Sequence, residues 1–382
     1  MRILAGVAGL LLLFIALWDG FETIILPRRV TRRVRLARYF YLATWRPYYA
    51  CMRRMQPGRR REEWLAIFGP LSLLGLLVTW AVTLVFGFSL IGFGWGDRGS
   101  WTRELYTSGS SLFTLGMAAP ASSGGRGLAI VEAGLGFGFL AMVIGYLPVL
   151  YQAFSQREIH ISLLDARAGS PPSAAELLRR NAHSRHELAA LLKDFETWAA
   201  QLLESHLSYP VLGYFRSQHD NQSWLAALTT ILDASALVML GAGCGDAYAP
   251  DPPSAENAGA GVIRQARLTF AMARHALVDL SQVFGAHPDK IRRQRSLPPE
   301  ELEKLQQLLA ADRIPWLGGN TCYDRLSEIR RVYEPYLGVL SERLLMELPR
   351  WTPQEGVREN WRTSAWDKKA RRSRSVQSDW HL

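Results

Sequence analysis

The distribution of apolar residues is the feature that most constrains this fold. Three long apolar runs lie in the first half of the chain, at 3–26, 64–93 and 127–154. Each run is long enough to cross the roughly 30 Å hydrocarbon layer of a membrane as a helix. Between the second and third runs lies a short amphipathic stretch, residues 101–120, WTRELYTSGSSLFTLGMAAP. The order of these segments predicts three crossings with a shorter segment held between the last two.

The short stretch is too brief and too polar to span the membrane. Irregular backbone at membrane depth is tolerated only where protein buries it or where it lines a water-filled path. We therefore predict a re-entrant helix from Leu105 to Phe113, followed by a segment that returns to the surface. That returning segment is formed by Thr114, Leu115, Gly116, Met117 and Ala118.

A basic segment between the first two apolar runs predicts the topology. Residues 28–61 contain 12 arginines and no acidic residue. Cytoplasmic loops carry such an excess of positive charge, so we expect this loop in the cytoplasm and the N-terminus outside. A cleaved signal peptide is the alternative for the first run, but no small-x-small cleavage site follows it. The prediction is a multi-pass protein of the plasma or inner membrane with a cytoplasmic C-terminal domain.

The basic segment at 28–62 also has an apolar face at helical spacing, interrupted by Pro47. This pattern predicts one or two helices that lie in the headgroup plane of the membrane and contact lipids. The formal net charge of the chain is +10, but many of its basic residues lie beside apolar spans. That placement favours membrane topology over binding to nucleic acid.

Three carboxylates fall inside or beside the predicted spans: Asp19, Glu22 and Glu132. A charge at membrane depth is costly and is usually paired. For Asp19 and Glu22 two readings stay open, because they either cap the helix end and pair with the following arginines or lie near an inner ion pathway. We expect Glu132 behind the re-entrant segment or facing water.

The third apolar run contains residues at which an inner helix can bend. Gly136, Gly145 and Pro148 are the candidate hinge positions. The glycines have a second interpretation, because small residues also permit close helix packing in lipid.

The remainder of the chain has the character of an α-helical domain. Helical patterns are predicted at 173–206, 222–240, 260–284, 299–311 and 323–347, and strand alternation is nearly absent. The apolar stretch 224–240 is a possible fourth crossing, but its length of 17 residues and Asp233 favour a buried domain helix. We predict a cytoplasmic domain over 157–350 and a basic, disordered tail over 351–382.

The sequence contains none of the common catalytic or cofactor motifs. There is no Walker loop, no HExxH and no GxSxG, and Cys51, Cys244 and Cys322 lack the spacing of metal ligands. We therefore expect no enzymatic activity, no bound metal and no cofactor.

The region 64–155 resembles the pore domain of the two-transmembrane potassium-channel superfamily. The resemblance rests on the Thr114-Leu115-Gly116 sequence after the short helix, on Gly125-Arg126, and on Gly136 ten positions later. It implies a homotetramer in which carbonyl oxygens of 114–118 line a central pathway for K⁺ or Na⁺.

The match to that superfamily is partial: the usual aspartate after the filter is missing, and Pro120 lies about two residues closer to the filter than the typical proline. Met117 and Ala118 stand where the superfamily has tyrosine and a second glycine, and they lack the conformational freedom needed for the outer carbonyl rings. The resemblance therefore implies a cation channel with weak or altered K⁺ selectivity. The alternative is a non-conducting membrane sensor or scaffold, in which the pore domain serves to oligomerise the helical domain.

Overall fold

The computed structural model of the protein describes residues 2–26, 35–95, 100–182, 184–219, 221–241, 256–288, 297–312 and 320–354. These residues form twelve α-helices and no strand: α1 (Arg2–Gly20), α2 (Leu36–Arg54), α3 (Arg59–Trp95), α4 (Trp101–Leu112), α5 (Ser123–Ala168), α6 (Ala174–Arg180), α7 (Arg185–Ser208), α8 (Trp224–Gly241), α9 (Glu256–Val283), α10 (Pro299–Ala311), α11 (Asn320–Arg331) and α12 (Glu334–Leu344). The prediction of an all-α chain is confirmed for this part of the protein.

The chain divides into two compact units. The first unit contains Met1–Ser155 together with Ser205–Arg216, and the second contains Gln156–Glu204 together with Ser217–Leu382. The predicted cytoplasmic domain over 157–350 therefore contributes one short segment to the unit that holds the predicted crossings.

In the first unit, α1 packs closely along α3 through glycines. A Cβ atom added at Gly9 would lie 2.5 Å from the carbonyl oxygen of Gly87, and one added at Gly6 would lie 2.7 Å from the Trp95 ring. Small residues let helix backbones approach closely in a membrane. A turn of π-helix, Phe21–Ile25, extends α1 toward the basic segment.

The short helix α4 begins earlier than the sequence predicts, at Trp101 rather than Leu105. Its N-cap is Ser100, whose hydroxyl oxygen accepts a hydrogen bond from the Arg103 backbone N–H at 3.4 Å. A serine cap satisfies one of the N–H groups that a helix start leaves without a partner. Residues 96–99, which lie between α3 and this cap, are outside the described residues.

Helix α2 runs without a break through Pro47, although the sequence predicts an interruption there. Proline removes one backbone hydrogen bond from a helix interior. Burial of the neighbouring Trp45 offsets this loss, because its ring lies 4.7 Å from that of Phe68 and 4.8 Å from that of Tyr214 between centroids. Residues 27–34 of the basic segment lie outside the described part of the chain.

Helix α5 has 46 residues and is longer than the predicted span at 127–154. It is unbroken at all three candidate hinge positions, Gly136, Gly145 and Pro148. The helix runs on into the second unit, whose first residue is Gln156.

The second unit is built around α8, which packs against α6, α9, α11 and α12. Its side chains are buried on all sides, and Asp233 accepts a 2.7 Å hydrogen bond from the Tyr333 hydroxyl. This is the environment predicted for residues 224–240.

Two helices predicted as single elements of this unit are each divided in two. The predicted helix 173–206 is broken into α6 and α7, because Ser184 starts a new helix by accepting a 3.2 Å hydrogen bond from the Glu187 N–H. The predicted helix 323–347 is broken into α11 and α12 beside the fully buried Tyr333. In both places a tertiary or capping contact outweighs the helical periodicity of the sequence.

The predicted disordered tail begins with residues that are packed. Trp351 is fully buried. Its backbone N–H donates to the Glu301 carboxylate at 3.0 Å, and its backbone carbonyl accepts from the Ala175 N–H at 3.1 Å. Residues 351–354 are therefore part of the second unit, and the remainder of that tail, 355–382, lies outside the described residues.

Candidate functional site

The loop that follows α4 folds back onto the end of its own helix. Thr114 and Gly116 both adopt the left-handed backbone region, with φ of 54° and 65°. The N–H of Leu115 donates to the carbonyl of Ser110 at 2.8 Å, and that of Thr114 donates to the carbonyl of Ser111 at 3.0 Å. The loop residues 113–118 are thereby held in one conformation by α4.

Ser110 is the residue that fixes the far side of this loop. Its hydroxyl oxygen accepts hydrogen bonds from the backbone N–H of Met117 at 2.8 Å and of Ala118 at 3.2 Å. The serine itself is buried. Sequence reasoning missed this role, although a serine in the last turn of α4 is a signal that its side chain reaches the following backbone.

The hydrogen bonds described above use N–H groups of the loop and none of its carbonyl oxygens. No described residue donates a hydrogen bond to the carbonyls of 113–118. Thr114, Leu115 and Gly116 are exposed in the single chain. A helix C-terminus carries about half a negative charge, so carbonyls placed there favour a cation.

The left-handed positions of the loop differ from those that the resemblance implies. Ala118 stands where the superfamily has its second glycine, but it is not in the left-handed region here, so its Cβ causes no strain. The two left-handed residues are instead Thr114 and Gly116. Only Gly116 adopts this conformation without the steric cost that a side chain adds.

Gly136, a predicted hinge, is the point at which α5 contacts the end of α4. A Cβ atom added at Gly136 would lie 1.9 Å from the carbonyl oxygen of Leu112. Only glycine permits this approach of α5 to the backbone at which the loop begins. At Gly145 no atom lies within 4 Å of an added Cβ, so Gly145 makes no comparable contact.

Glu132 lies behind α4, which is one of the two positions that the sequence leaves open. It is buried, and its carboxyl group contacts the hydroxyl of Ser108, which also lies 2.9 Å from the carbonyl oxygen of Val85. A serine hydroxyl has one hydrogen to donate. Ser108 can share this hydrogen between the two oxygens, whereas a protonated Glu132 that donated to Ser108 would satisfy both contacts in full. The arrangement links α3, α4 and α5 at one buried carboxyl group.

A small cavity of about 20 Å³ adjoins this carboxyl group. Glu104 and Thr107 of α4 line it together with Glu132 and Pro120. The volume is about that needed for a single water molecule. The cavity therefore suits a water that bridges polar groups behind the loop, and it is too small for an organic cofactor.

Asp19 connects three helices at the C-terminal end of α1. One of its carboxylate oxygens accepts a hydrogen bond from the Trp80 indole N–H at 2.9 Å and from the Ala37 backbone N–H at 3.0 Å. The second bond caps the start of α2, where helical N–H groups lack partners. The side chain is 4% exposed, so α1, α2 and α3 meet at a buried carboxylate.

Glu22 completes this cluster. Its carboxylate accepts a 2.7 Å hydrogen bond from the Trp18 indole and lies 3.8 Å from the Arg35 guanidinium. Arg35 also lies 3.9 Å from Asp19. Of the two readings left open by the sequence, these contacts match capping and pairing with an arginine.

The first part of α5 leaves most of its apolar surface uncovered. In its most apolar 18 residues, 11% of positions are buried. The exposed side chains include Ile130, Val131, Phe137, Leu140, Ile144 and Val149. This surface faces either lipid or another protein chain.

Comparisons with known proteins agree with this architecture at a coarse level. No family model matches the chain, and no solved structure matches it. The chain is 24% identical over 290 residues to the uncharacterized membrane protein YdjJ of Bacillus subtilis strain 168, an alignment that covers 72% of this chain and 77% of that protein. Within the described residues, four helices are long and apolar enough to cross a membrane. The chain is a membrane protein, and the residues that the structure describes form helices and no strand.

Proposed function

We propose that several copies of this chain surround a cation pathway lined by the loop 113–118. The observation that carries the proposal is the hydrogen bonding of this loop. Five of its N–H groups are held by α4, three of them through Ser110, and no described residue donates a hydrogen bond to its carbonyl oxygens, which lie at a helix end that favours positive charge. Carbonyl oxygens in this arrangement can replace part of the hydration shell of a cation.

Two features support an oligomer around this pathway. The loop is exposed in a single chain, and the first part of α5 has an uncovered apolar face. One short re-entrant helix per chain encloses nothing by itself, so several copies are needed to surround an axis. The resemblance to the two-transmembrane potassium-channel superfamily makes four copies our proposed number.

The loop also supports weak discrimination between K⁺ and Na⁺. Thr114 and Gly116 supply the two left-handed positions of the segment, and no second glycine follows them. A shorter series of carbonyl rings gives fewer steps at which a partly dehydrated ion is selected. We therefore propose monovalent cation conduction with little preference for potassium.

One observation favours a non-conducting assembly as the second candidate. The side chains of Leu115 and Met117 are 60% and 66% exposed. Large apolar side chains at an axis can pack together and exclude water. In that case the first unit is an oligomerisation module for the helical domain, which then acts as a sensor or scaffold.

Ion flux through purified protein separates the two candidates. In liposomes with potassium on one side and sodium on the other, we expect a cation current that reverses near zero millivolts. Gly116→Val should abolish the current, because valine resists the left-handed conformation that the loop requires. Gly261→Val is the matched control, because no atom lies within 4 Å of a Cβ added there and this residue is in the second unit.

Three results would contradict the proposed pathway. Absence of current from well-assembled protein favours the scaffold. Current unaffected by Gly116→Val shows that ions do not pass this loop. A reversal potential near the potassium equilibrium value shows that selectivity is strong.

The orientation of the chain is part of the same proposal. A cysteine that replaces Arg59 should resist membrane-impermeant thiol reagents in intact cells, while a cysteine that replaces Thr102 should react. Both side chains are exposed, so burial does not account for a difference. The opposite labelling pattern would invert the topology.

A further inference from the structure

A short segment from the C-terminal half of the chain folds into the first unit. This return segment, Ser205–Arg216, contains the end of α7 and a turn of 3₁₀-helix, Pro210–Tyr214. The residues on both sides of it, up to Glu204 and from Ser217, belong to the second unit. The chain therefore leaves the second unit, packs into the first and returns.

Aromatic rings attach the return segment to α2 and α3. The Tyr214 ring stacks on that of Tyr41, with centroids 5.5 Å apart and planes 3° from parallel. It also lies 4.8 Å from Trp45 and 5.4 Å from Phe68. Aromatic pairs at these separations stabilise beyond their burial alone, so this attachment is strong and directional.

The same segment contacts α5 on both sides of Pro148. The Tyr209 ring lies 5.6 Å from that of Tyr146, and the Phe215 ring lies 5.6 Å from that of Phe154. Proline has no N–H to donate to the carbonyl four residues earlier, here that of Ile144. The segment thus holds α5 above and below the position where its backbone is least constrained.

Phe215 and Arg216 connect the segment to the inner part of α3. A Cβ added at Gly69 would lie 2.7 Å from the Phe215 ring, so glycine is needed for this contact. The Arg216 guanidinium lies 3.5 Å from the Glu62 carboxylate, and the arginine side chain is 7% exposed. Burial of a guanidinium charge with so little contact with solvent is costly unless an oppositely charged group lies beside it.

We propose that the return segment transmits conformational changes of the second unit to α5 at Pro148. The coupling is inferred from the contacts alone, and its consequence for ion flow rests on the proposed function. Besides both ends of the segment, the chain passes between the units once more, within α5 after Ser155. A test must therefore distinguish transmission through the segment from transmission along α5.

The test uses the reactivity of one cysteine as a conformational reporter. In full-length protein in liposomes, with its three native cysteines replaced by serine, Gln152→Cys places a thiol on α5 about one turn after Pro148, at an exposed polar position of the first unit. Two separate substitutions perturb the second unit. Tyr333→Phe removes the hydrogen bond to Asp233, and Leu237→Ala removes buried volume from α8.

Each perturbation is measured with the return segment intact and with it loosened by Tyr214→Ala. With the segment intact, we expect the rate of thiol modification to change about threefold or more, within the usual range of coupling between sites. With Tyr214→Ala, the same perturbation should leave the rate unchanged. Tyr214→Phe retains the ring and should retain the coupling.

Phe40→Ala is the matched control, because it removes a neighbouring ring that packs on Tyr41 of α2 and close to Gly75 of α3. The coupling should survive this change. Equal effects of the perturbations with and without the Tyr214 ring would show that α5 alone carries the change, and would overturn the proposal. No effect of either perturbation in any background would overturn it as well.

The reporter does not depend on ion conduction. If thiol reactivity behaves as expected and no current is found, the cation pathway is wrong and the coupling stands. If current is found and the reactivity is insensitive to Tyr214, the coupling is wrong and the pathway stands.

Discussion

Helices α5 and α8 are both apolar enough to cross a membrane, yet they differ in how much of their surface is buried. In the most apolar 18 residues of α5, 11% of positions are buried, whereas in α8 the corresponding share is 89%. Helix α8 is surrounded by helices of its own unit. The first part of α5 presents its side chains outward.

The difference shows that hydropathy does not by itself indicate what a helix contacts. Helix α8 contains Asp233, which is buried and bonded to Tyr333, so its surface is already matched to protein neighbours. Helix α5 contains Glu132, which is turned toward α4 and leaves the remaining faces apolar. We therefore expect α8 to serve the stability of one chain and α5 to contact lipid and other copies.

Truncating a matched pair of isoleucines tests this contrast and should give the largest effect. Ile231 of α8 is fully buried, and Ile144 of α5 is 63% exposed. Ile231→Ala should lower the free energy of unfolding by about 2–5 kcal/mol, because it leaves a cavity. Ile144→Ala should lower it by less than about 1 kcal/mol. Denaturant titration of detergent-solubilised protein measures both changes. Equal losses of unfolding free energy in the two variants would show that α5 and α8 contribute alike to the stability of the single chain.

A pair of glycines in α5 tests its contact with α4. Gly136→Ala introduces a Cβ where only 1.9 Å separates it from the Leu112 carbonyl, while at Gly138 an added Cβ meets no atom within 4 Å. We expect Gly136→Ala to displace the end of α4 and to abolish ion flux. Gly138→Ala should leave flux intact and raise helix stability by up to about 1 kcal/mol. Normal flux in both variants would show that this contact does not position the loop.

A pair of serines tests the anchoring of the loop. Ser110→Ala removes the acceptor of two backbone hydrogen bonds, at a cost of about 1 kcal/mol each. Amide exchange at Met117 and at Ala118 should therefore accelerate by about fivefold each. Ser111→Ala should not change this exchange, because Ser111 contributes its backbone carbonyl rather than its side chain. Unchanged exchange in Ser110→Ala would show that the Ser110 hydroxyl does not anchor the loop to α4.

The main features of the first unit were accessible to sequence reasoning because they follow from local patterns. Apolar length predicted α1, α3 and α5, and the amphipathic stretch predicted α4. One of the two positions expected for Glu132, behind α4, followed from the cost of a charge at membrane depth. These are properties that a segment carries wherever it packs.

What the sequence did not predict depends on contacts between distant residues. The role of Ser110 requires that the loop turn back on α4, and the return segment requires that aromatic rings such as Tyr214 meet α2 and α3. The continuity of α2 through Pro47 likewise follows from the burial of Trp45. No local periodicity encodes these contacts, although the cluster of aromatic residues around Pro210 is a signal of packing.

Substitution of Glu132 gives the smallest expected effect. It tests whether the side chain at position 132 donates a hydrogen bond to the Ser108 hydroxyl. Glu132→Gln supplies an amide N–H that can donate in place of the carboxyl hydrogen, so stability should change by less than about 1 kcal/mol. Glu132→Ala removes the contact and should lower stability by about 1–3 kcal/mol. A loss in Glu132→Gln as large as that in Glu132→Ala would show that Glu132 is ionised in the folded protein.

The number of chains in the membrane-embedded particle tests the central claim most directly. Native mass measurement in lipid nanodiscs counts copies of the 42.9 kDa chain. We predict a single species of four chains, in which cysteines introduced at Met117 crosslink between copies because the loops meet at a common axis. A species of one chain at every protein concentration, with no crosslink at Met117, would contradict a pathway formed between copies.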